Sequence, residues 1–127
     1  MSGYCVEAFG PFDHNDETAA FKLALDILIG DGEFEDLRQV MAGDGEIQGL
    51  AGDPGWTLQR KSAHKDVAWP LDAAYCAEVD PEEFRLTHPK AFLDDATFKY
   101  YVRRFLDCYT KTNPNYVESA KALRSLL

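Results

Sequence analysis

The stretch that decides the fold is 94-DDATFKYYVRRFLDCYTK-111. Its large apolar side chains recur at steps of three, one, three, one and three residues: Phe98, Tyr101, Val102, Phe105, Leu106 and Tyr109. This spacing places them on one face of an α-helix. Asp94 or Asp95 suits the N-cap, because a carboxylate accepts hydrogen bonds from the free N–H groups of the first turn. The sequence therefore predicts a core helix over about 94–111.

Further helices are predicted on both sides of this segment. Asn113 and Pro114 offer a cap and a first-turn proline for a last helix, so that residues 94–127 would form a helical hairpin. Upstream, a periodic apolar pattern predicts a helix over Asp16–Ile29, which Gly30 ends, and a shorter one over Glu33–Met41. Two more helices are expected, one from Pro70 to Val79 and a turn or two opened by Asp80 and Pro81.

The β-structure expected from the sequence is small. Alternating side chains predict a short strand at Tyr4–Phe9, and two more are expected at Glu46–Leu50 and Trp56–Arg60. The fold class that follows is mainly α with a small β component. The expected architecture is a compact helical domain with a C-terminal helical hairpin and a few short strands.

The charge divides the chain into two parts. With 127 residues, 46% of them hydrophobic, residues 1–127 are expected to form a single domain. Residues 1–54 hold 12 acidic and 2 basic residues, whereas residues 55–127 hold 10 acidic and 11 basic ones. All 9 glycines lie at or before Gly55. We therefore distinguish an acidic, glycine-rich subregion, 1–54, from a charge-balanced helical subregion, 55–127.

Several classes of protein are disfavoured by composition. The N-terminus lacks the basic and long apolar stretches of a signal peptide, and no run approaches the roughly 20 apolar residues of a membrane span, so a cytoplasmic location and no membrane contact are expected. The acidity repels phosphates, which argues against direct nucleic-acid binding. Cys5, Cys76 and Cys108 form no CxxC pair, and we expect reduced, mostly buried thiols.

Metal and phosphate motifs are incomplete. If Asp44 began a calcium loop, its twelfth position would be Gly55 and not the required glutamate. The same segment lacks the GK[ST] of a phosphate loop. His14, His64 and His88 are isolated and show no metal-ligand spacing. We therefore predict no metal and no cofactor.

Catalytic groups are likewise not indicated. The carboxylate pairs Glu82 with Glu83 and Asp94 with Asp95 could act as acid and base if buried, but both stand where helix starts favour acids, so capping is the better interpretation. A cysteine and histidine pair could be drawn in any chain with 3 of each. The aromatic residues of 98–109 are expected in the core, with Tyr100 off the main stripe. No catalytic residue is predicted.

The acidic side chains of the first part are the remaining candidates for function. Like charges on adjoining loops and helix ends repel one another, and a basic partner would relieve that repulsion. The predicted partner-binding residues are Asp16, Glu17, Asp31, Glu33, Phe34, Glu35, Asp36, Asp44, Glu46, Asp53 and Trp56. Phe34, Trp56 and Tyr100 are included in this hypothesis as aromatic anchors.

In its profile, a small acidic chain without catalytic residues, the protein resembles the bacterial immunity proteins that neutralise a toxin, often a basic nuclease. The resemblance covers the acidic first half, especially Asp16, Glu17 and Glu33–Asp36. It implies a non-catalytic cytoplasmic interaction module that occludes a basic partner. Two alternatives stay open: a phage or plasmid adaptor or DNA-mimic inhibitor, and a small enzyme or ligand-binding domain with an aromatic pocket that encloses Glu82, Asp95 or a histidine.

Overall fold

The structure, a computed structural model, describes residues 9–43, 49–52, 55–61 and 69–127. The helices of the described ranges are α1 (Ala19–Gly30), α2 (Phe34–Ala42), α3 (Pro81–Phe84), α4 (Asp95–Thr112) and α5 (Val117–Arg124), with a 3-10 turn at Pro114–Tyr116 before α5. The strands are β1 (Gly49–Gly52), β2 (Trp56–Arg60), β3 (Tyr75–Val79) and β4 (Lys90–Leu93).

The fold class is mixed α and β, and the prediction of a helical domain built on a C-terminal hairpin is wrong. Strands β1 to β4 form one antiparallel sheet in the order β1-β2-β3-β4. The helix predicted from Pro70 to Val79 is instead strand β3 at Tyr75–Val79, in which four of five residues are buried. A strand that is buried on both faces loses the alternating pattern by which strands are recognised. Strand β4 was not predicted, because a strand of four residues is too short to show a clear alternating pattern.

Other predicted elements are confirmed. Helices α1, α2, α4 and α5 lie within a few residues of their predicted positions, β2 matches Trp56–Arg60, and α3 follows the Asp80 cap. Strand β1 overlaps only the end of the predicted strand at 46–50, since residues 44–48 lie outside the described ranges. Residues 4–8 of the first predicted strand also lie outside them. Phe9, which is described, is helical and not extended.

The core lies between α1, the sheet and α4. Helix α1 packs against β2, β3 and β4, and ten of its twelve residues are buried. Phe98 of α4 stacks on Tyr75 of β3 with 3.7 Å between ring centroids, and its centroid lies 5.1 Å from that of Phe21 of α1. Because α1 is apolar on nearly all sides, it forms the centre of the domain.

Helix α2 is fastened to the sheet at its C-terminal end. Gly43 ends the helix at a φ of +70°, where glycine is favoured, and a Cβ there would lie 2.7 Å from Cζ of Arg60. Nη1 of Arg60, on β2, donates hydrogen bonds to the carbonyl oxygens of Val40 and Met41 at 2.9 and 2.8 Å. These bonds satisfy carbonyl groups that the end of a helix leaves without partners.

Helix α5 folds back beside α4 and packs chiefly against α2. Arg124 of α5 forms an ion pair with Asp107 of α4 at 2.8 Å, and Arg103 donates to the carbonyl oxygen of Leu127 at 3.0 Å. This arrangement brings the start of α2 alongside α5. Within the described ranges, no helix has both the length and the apolar character needed to cross a membrane.

Candidate functional site

A groove of about 320 Å³ runs between the start of α2 and α5. We call it the α2–α5 groove; it is lined by Gly32, Phe34, Glu35, Glu118, Ser119 and Ala122. The side chains of Glu35 and Glu118 are 61% and 81% exposed. One carboxylate therefore comes from each helix, and both are accessible from solvent.

An aromatic cluster supports the groove from the protein side. Phe34, which is 4% exposed, stacks on Tyr116 with 5.5 Å between ring centroids. Tyr109 of α4 lies 5.5 Å from Tyr116 and 6.3 Å from Phe34. The three rings join α2, α4 and the turn before α5, so that the wall of the groove has a fixed shape.

The two groove carboxylates have intrahelical partners. Glu35 accepts two hydrogen bonds from Nε of Arg38, at 2.8 and 2.9 Å, and this contact lowers the pKa of Glu35. Glu118 pairs with Lys121 at 2.9 Å. Exposed ion pairs between residues three apart on a helix contribute little to stability, because solvent screens them. Both carboxylates are therefore held only weakly by their intrahelical partners.

Three further acids belong to the same end of the molecule. Asp31 is exposed, and Glu33 and Asp36 are half-buried, around the start of α2. Among the residues that the structure describes, no Lys or Arg forms an ion pair with any of these three. They add negative charge around the start of α2, which contributes Gly32, Phe34 and Glu35 to the groove.

The predicted acids do not form one surface. Helix α1 has 12 residues and so rises by about 18 Å. Glu17 precedes this helix and Asp31 follows it, which separates the two acids by the length of the helix. Asp16 is moreover used internally, because its carboxylate binds Nζ of the buried Lys22 at 2.6 Å.

The burial of two predicted aromatic anchors argues against that role for them. Trp56 is 2% exposed and lies in the core, and Phe34 is also buried. Neither can project into a partner, although Phe34 shapes the groove wall. Tyr100 is 50% exposed on α4, as an anchor must be. Asp44, Glu46 and Asp53 lie outside the described residues.

One notable residue, Asp26 of α1, was missed in the sequence. It is 5% exposed, and its Oδ1 has no hydrogen-bond partner. Burial raises the pKa of Asp26 to about 6. The pKa of Tyr109 is raised by burial, by Tyr116 and by Asp26. The available signal was an aspartate within the apolar run FKLALDILI of 21–29, where a helix that is apolar on all sides must be buried.

The carboxylates considered for catalysis, Glu82 with Glu83 and Asp94 with Asp95, lie at helix starts. Asp94 accepts a hydrogen bond from the backbone N–H of Thr97 at 2.7 Å, and Asp80 accepts one from that of Glu82 at 2.9 Å. The first contact confirms the capping interpretation for Asp94, whereas Glu82 and Glu83 are exposed residues of the first turn that Asp80 caps. Across the described ranges, no group of three His, Cys, Asp or Glu is placed to hold a metal ion.

The described cysteines differ in chemical state. Cys76 is free and buried on β3, and burial raises its thiol pKa to about 11. It is therefore a neutral thiol near pH 7. Cys108 is disulfide-bonded, which contradicts the expectation of a reduced thiol at that position.

Comparisons with models of protein families, with characterised proteins and with solved structures give no match for this chain.

Proposed function

We propose that the protein is a non-catalytic interaction module that binds and occludes a basic protein partner, as immunity proteins do with toxins, and that binding centres on the α2–α5 groove. The observation that carries the proposal is the set of acids around the start of α2, Asp31, Glu33 and Asp36, next in sequence to a groove with exposed Glu35 and Glu118. Charge and shape thus favour the same class of partner at one place.

An arginine or lysine side chain of the partner matches the chemistry of the groove. Its alkyl part would pack on Phe34 and Ala122, and its charged end would lie between Glu35 and Glu118. The intrahelical ion pairs of these glutamates are weak, so that exchanging them for a pair with the partner costs little. The surrounding acids would speed association at low salt.

This proposal is narrower than the sequence hypothesis. It retains Glu35, which lines the groove, and Asp31, Glu33 and Asp36, its neighbours in sequence. It leaves out Asp16, whose charge Lys22 already balances, and Trp56, which is buried. Binding therefore depends on one end of the molecule and not on the whole acidic half.

Charge reversal tests the proposal. The protein is used to capture a basic partner from extracts of its native host, and the affinity of the purified partner is measured at several salt concentrations. Replacing Glu33, Glu35 and Asp36 together with lysine is expected to weaken binding by roughly 30- to 100-fold, since each of three rim charges contributes up to about 1 kcal/mol. The wild-type affinity should also fall as salt rises.

A matched control separates position from net charge. Reversal of Glu78, Glu82 and Glu83, exposed residues of β3 and α3, changes the net charge by the same amount away from the groove. This control should alter the affinity by less than about fivefold. Equal effects of the two triple variants, or an unaffected affinity in the groove variant, would contradict the proposal.

A further inference from the structure

A second cleft, separate from the α2–α5 groove, lies where strand β2 ends. Its volume is about 340 Å³, and the described residues that line it are Arg60, Lys61, Ala73 and Ala74. We call it the Arg60 cleft. Arg60 is the last residue of β2 and hydrogen-bonds the C-terminal end of α2, whereas the α2–α5 groove lies at the start of that helix. The two sites are therefore at opposite ends of α2.

The guanidinium group of Arg60 is held in place through one of its nitrogen atoms. Nη1 donates to the carbonyl oxygens of Val40 and Met41, at 2.9 and 2.8 Å, and lies 3.4 Å from the hydroxyl oxygen of Tyr75. All three acceptors are uncharged groups. In the part of the chain that the structure describes, neither Arg60 nor Lys61 forms an ion pair with a carboxylate. The cleft therefore has two cationic side chains that are not paired with any described acid.

The other two nitrogen atoms of Arg60 are open to a ligand. Nε and Nη2 donate no hydrogen bond to any described residue. Among those residues, the buried side-chain N and O atoms that lack a partner are Oδ1 of Asp26 and Nε1 of Trp56, so Nε and Nη2 of Arg60 are reached by solvent. A Cβ at Gly43 would lie 2.8 Å from Nε and 3.1 Å from Nη2, and glycine leaves that space empty. The parallel N–H groups of Nε and Nη2 form the edge of a guanidinium group that binds both oxygens of a carboxylate.

The rest of the cleft determines the class of anion that fits. Ala73 is buried and Ala74 half-buried, and both contribute apolar surface. Lys61 is exposed, and its Nζ lies 3.3 Å from the carbonyl oxygen of Leu71, which places a second cation at the rim. The volume is near the lower end of the range for small-molecule sites, about 300–1,000 Å³. An inorganic anion would leave the apolar surface unused, whereas a short apolar chain would cover it.

We propose that the Arg60 cleft binds a small organic molecule that has one carboxylate and a short apolar chain. The carboxylate accepts hydrogen bonds from Nε and Nη2 of Arg60, and the chain lies on Ala73 and Ala74. The ammonium group of Lys61 attracts the anion at the rim. Binding breaks no contact of the guanidinium group with α2, because those contacts use Nη1.

NMR detection of arginine side chains tests the proposal on the full chain. The Nε–H signal of Arg60 is assigned by its absence in Arg60→Lys, and hexanoate is then added at constant ionic strength. We expect a saturable shift of this signal with a Kd on the order of 1 mM, as for other small ligands. Hexanamide has the same chain without the charge, and it should bind at least about tenfold more weakly. Inorganic phosphate has charge without the chain, and it should also bind at least about tenfold more weakly.

Three variants test the placement of the ligand. Lys61→Met should weaken the binding of hexanoate by about three- to fivefold, because one rim charge is lost. The matched control Lys90→Met removes an exposed lysine of β4, which pairs with Glu78 three residues further along the sheet than Tyr75, and it should change the affinity by less than about twofold. Ala74→Leu narrows the cleft and keeps both cations, and it should weaken binding at least about tenfold.

The proposal is overturned if hexanoate produces no saturable shift of the Arg60 signal, or if hexanamide or phosphate binds as tightly as hexanoate. Equal effects of Lys61→Met and Lys90→Met would overturn it as well. If Ala74→Leu does not fold, the comparison of the three ligands on the wild type decides. The titration needs no protein partner, so its result is independent of the proposed function.

Discussion

The carboxyl group of Asp26 links the stability of the protein to pH. Its pKa is raised from 3.8 to about 6, so the folded chain holds this proton more tightly than the unfolded chain does. The contribution of this bound proton to the stability of the folded chain is complete below about pH 4. It is lost as pH rises through about 6. A difference of about 2 in pKa corresponds to as much as about 3 kcal/mol.

Replacing Asp26 with asparagine keeps the shape and removes the ionisation. We expect Asp26→Asn to raise the free energy of unfolding at pH 7.5 by roughly 2–3 kcal/mol, and to remove most of the decline between pH 5 and pH 7.5 that this group causes. Urea denaturation across that range measures both effects. Asp36→Asn serves as the control and should follow the wild type within about 0.5 kcal/mol. If the free energy of unfolding depends on pH in the same way in the wild type and in Asp26→Asn, the buried carboxyl group is not the cause of that dependence.

At the scale of elements, α4 is the helix that the sequence predicts best, and its start can be assigned to one residue. Asp94 has extended backbone geometry and caps the helix through Thr97, whereas Asp95 is the first helical residue and pairs with Lys99 at 2.9 Å. The sequence left open which aspartate is the cap. The structure selects Asp94.

Alanine substitutions distinguish the roles of these neighbours. Asp94→Ala should lower the free energy of unfolding by about 1 kcal/mol, since the first turn loses its acceptor. Asp95→Ala removes only an exposed ion pair and a favourable charge near the helix start, so about 0.5 kcal/mol is expected. Chemical denaturation of both variants at one pH provides the comparison. An equal loss in the two variants would contradict the assignment.

The elements that the sequence predicts share a regular, one-sided pattern. Helix α4 buries Phe98, Val102, Phe105 and Leu106 on one face, and this periodicity is readable without a structure. Strand β3 is buried on both faces and β4 has only four residues, so neither gives a clear period of two. The sheet was therefore underestimated, and with it the fold class.

The sequence predicts the acidic character of the candidate site, but not which residues of the fold come together to form it. The acids at the start of α2 were identified because charge is visible in composition. Their neighbour Glu118 lies more than 80 residues away in sequence, and only tertiary packing brings α5 to α2. The internal use of Asp16 and the burial of Trp56 depend on the same long-range contacts, which local patterns do not encode.

At the scale of the whole molecule, folding places the described acids of the first part, apart from the buried Asp26 within α1, at separate ends of that helix. Glu17 lies before the helix, and Asp31, Glu33, Glu35 and Asp36 follow it near Glu118 of the charge-balanced part. The surface proposed for binding therefore combines both parts of the chain. It is the packing of α5 on α2, and not the acidity of the first 54 residues alone, that defines the groove.

Site-specific photo-crosslinking tests this central claim most directly. A photoreactive residue replaces Ser119, an exposed residue of the α2–α5 groove, and in a second variant it replaces Lys90, an exposed residue of strand β4. Both variants are irradiated in the native host, and the crosslinked proteins are identified by mass spectrometry. The account predicts that position 119 captures one basic protein, that position 90 does not, and that lysine at positions 33, 35 and 36 abolishes the crosslink. Capture of the same protein at both positions, capture of an acidic protein, or no crosslink from the groove would contradict it.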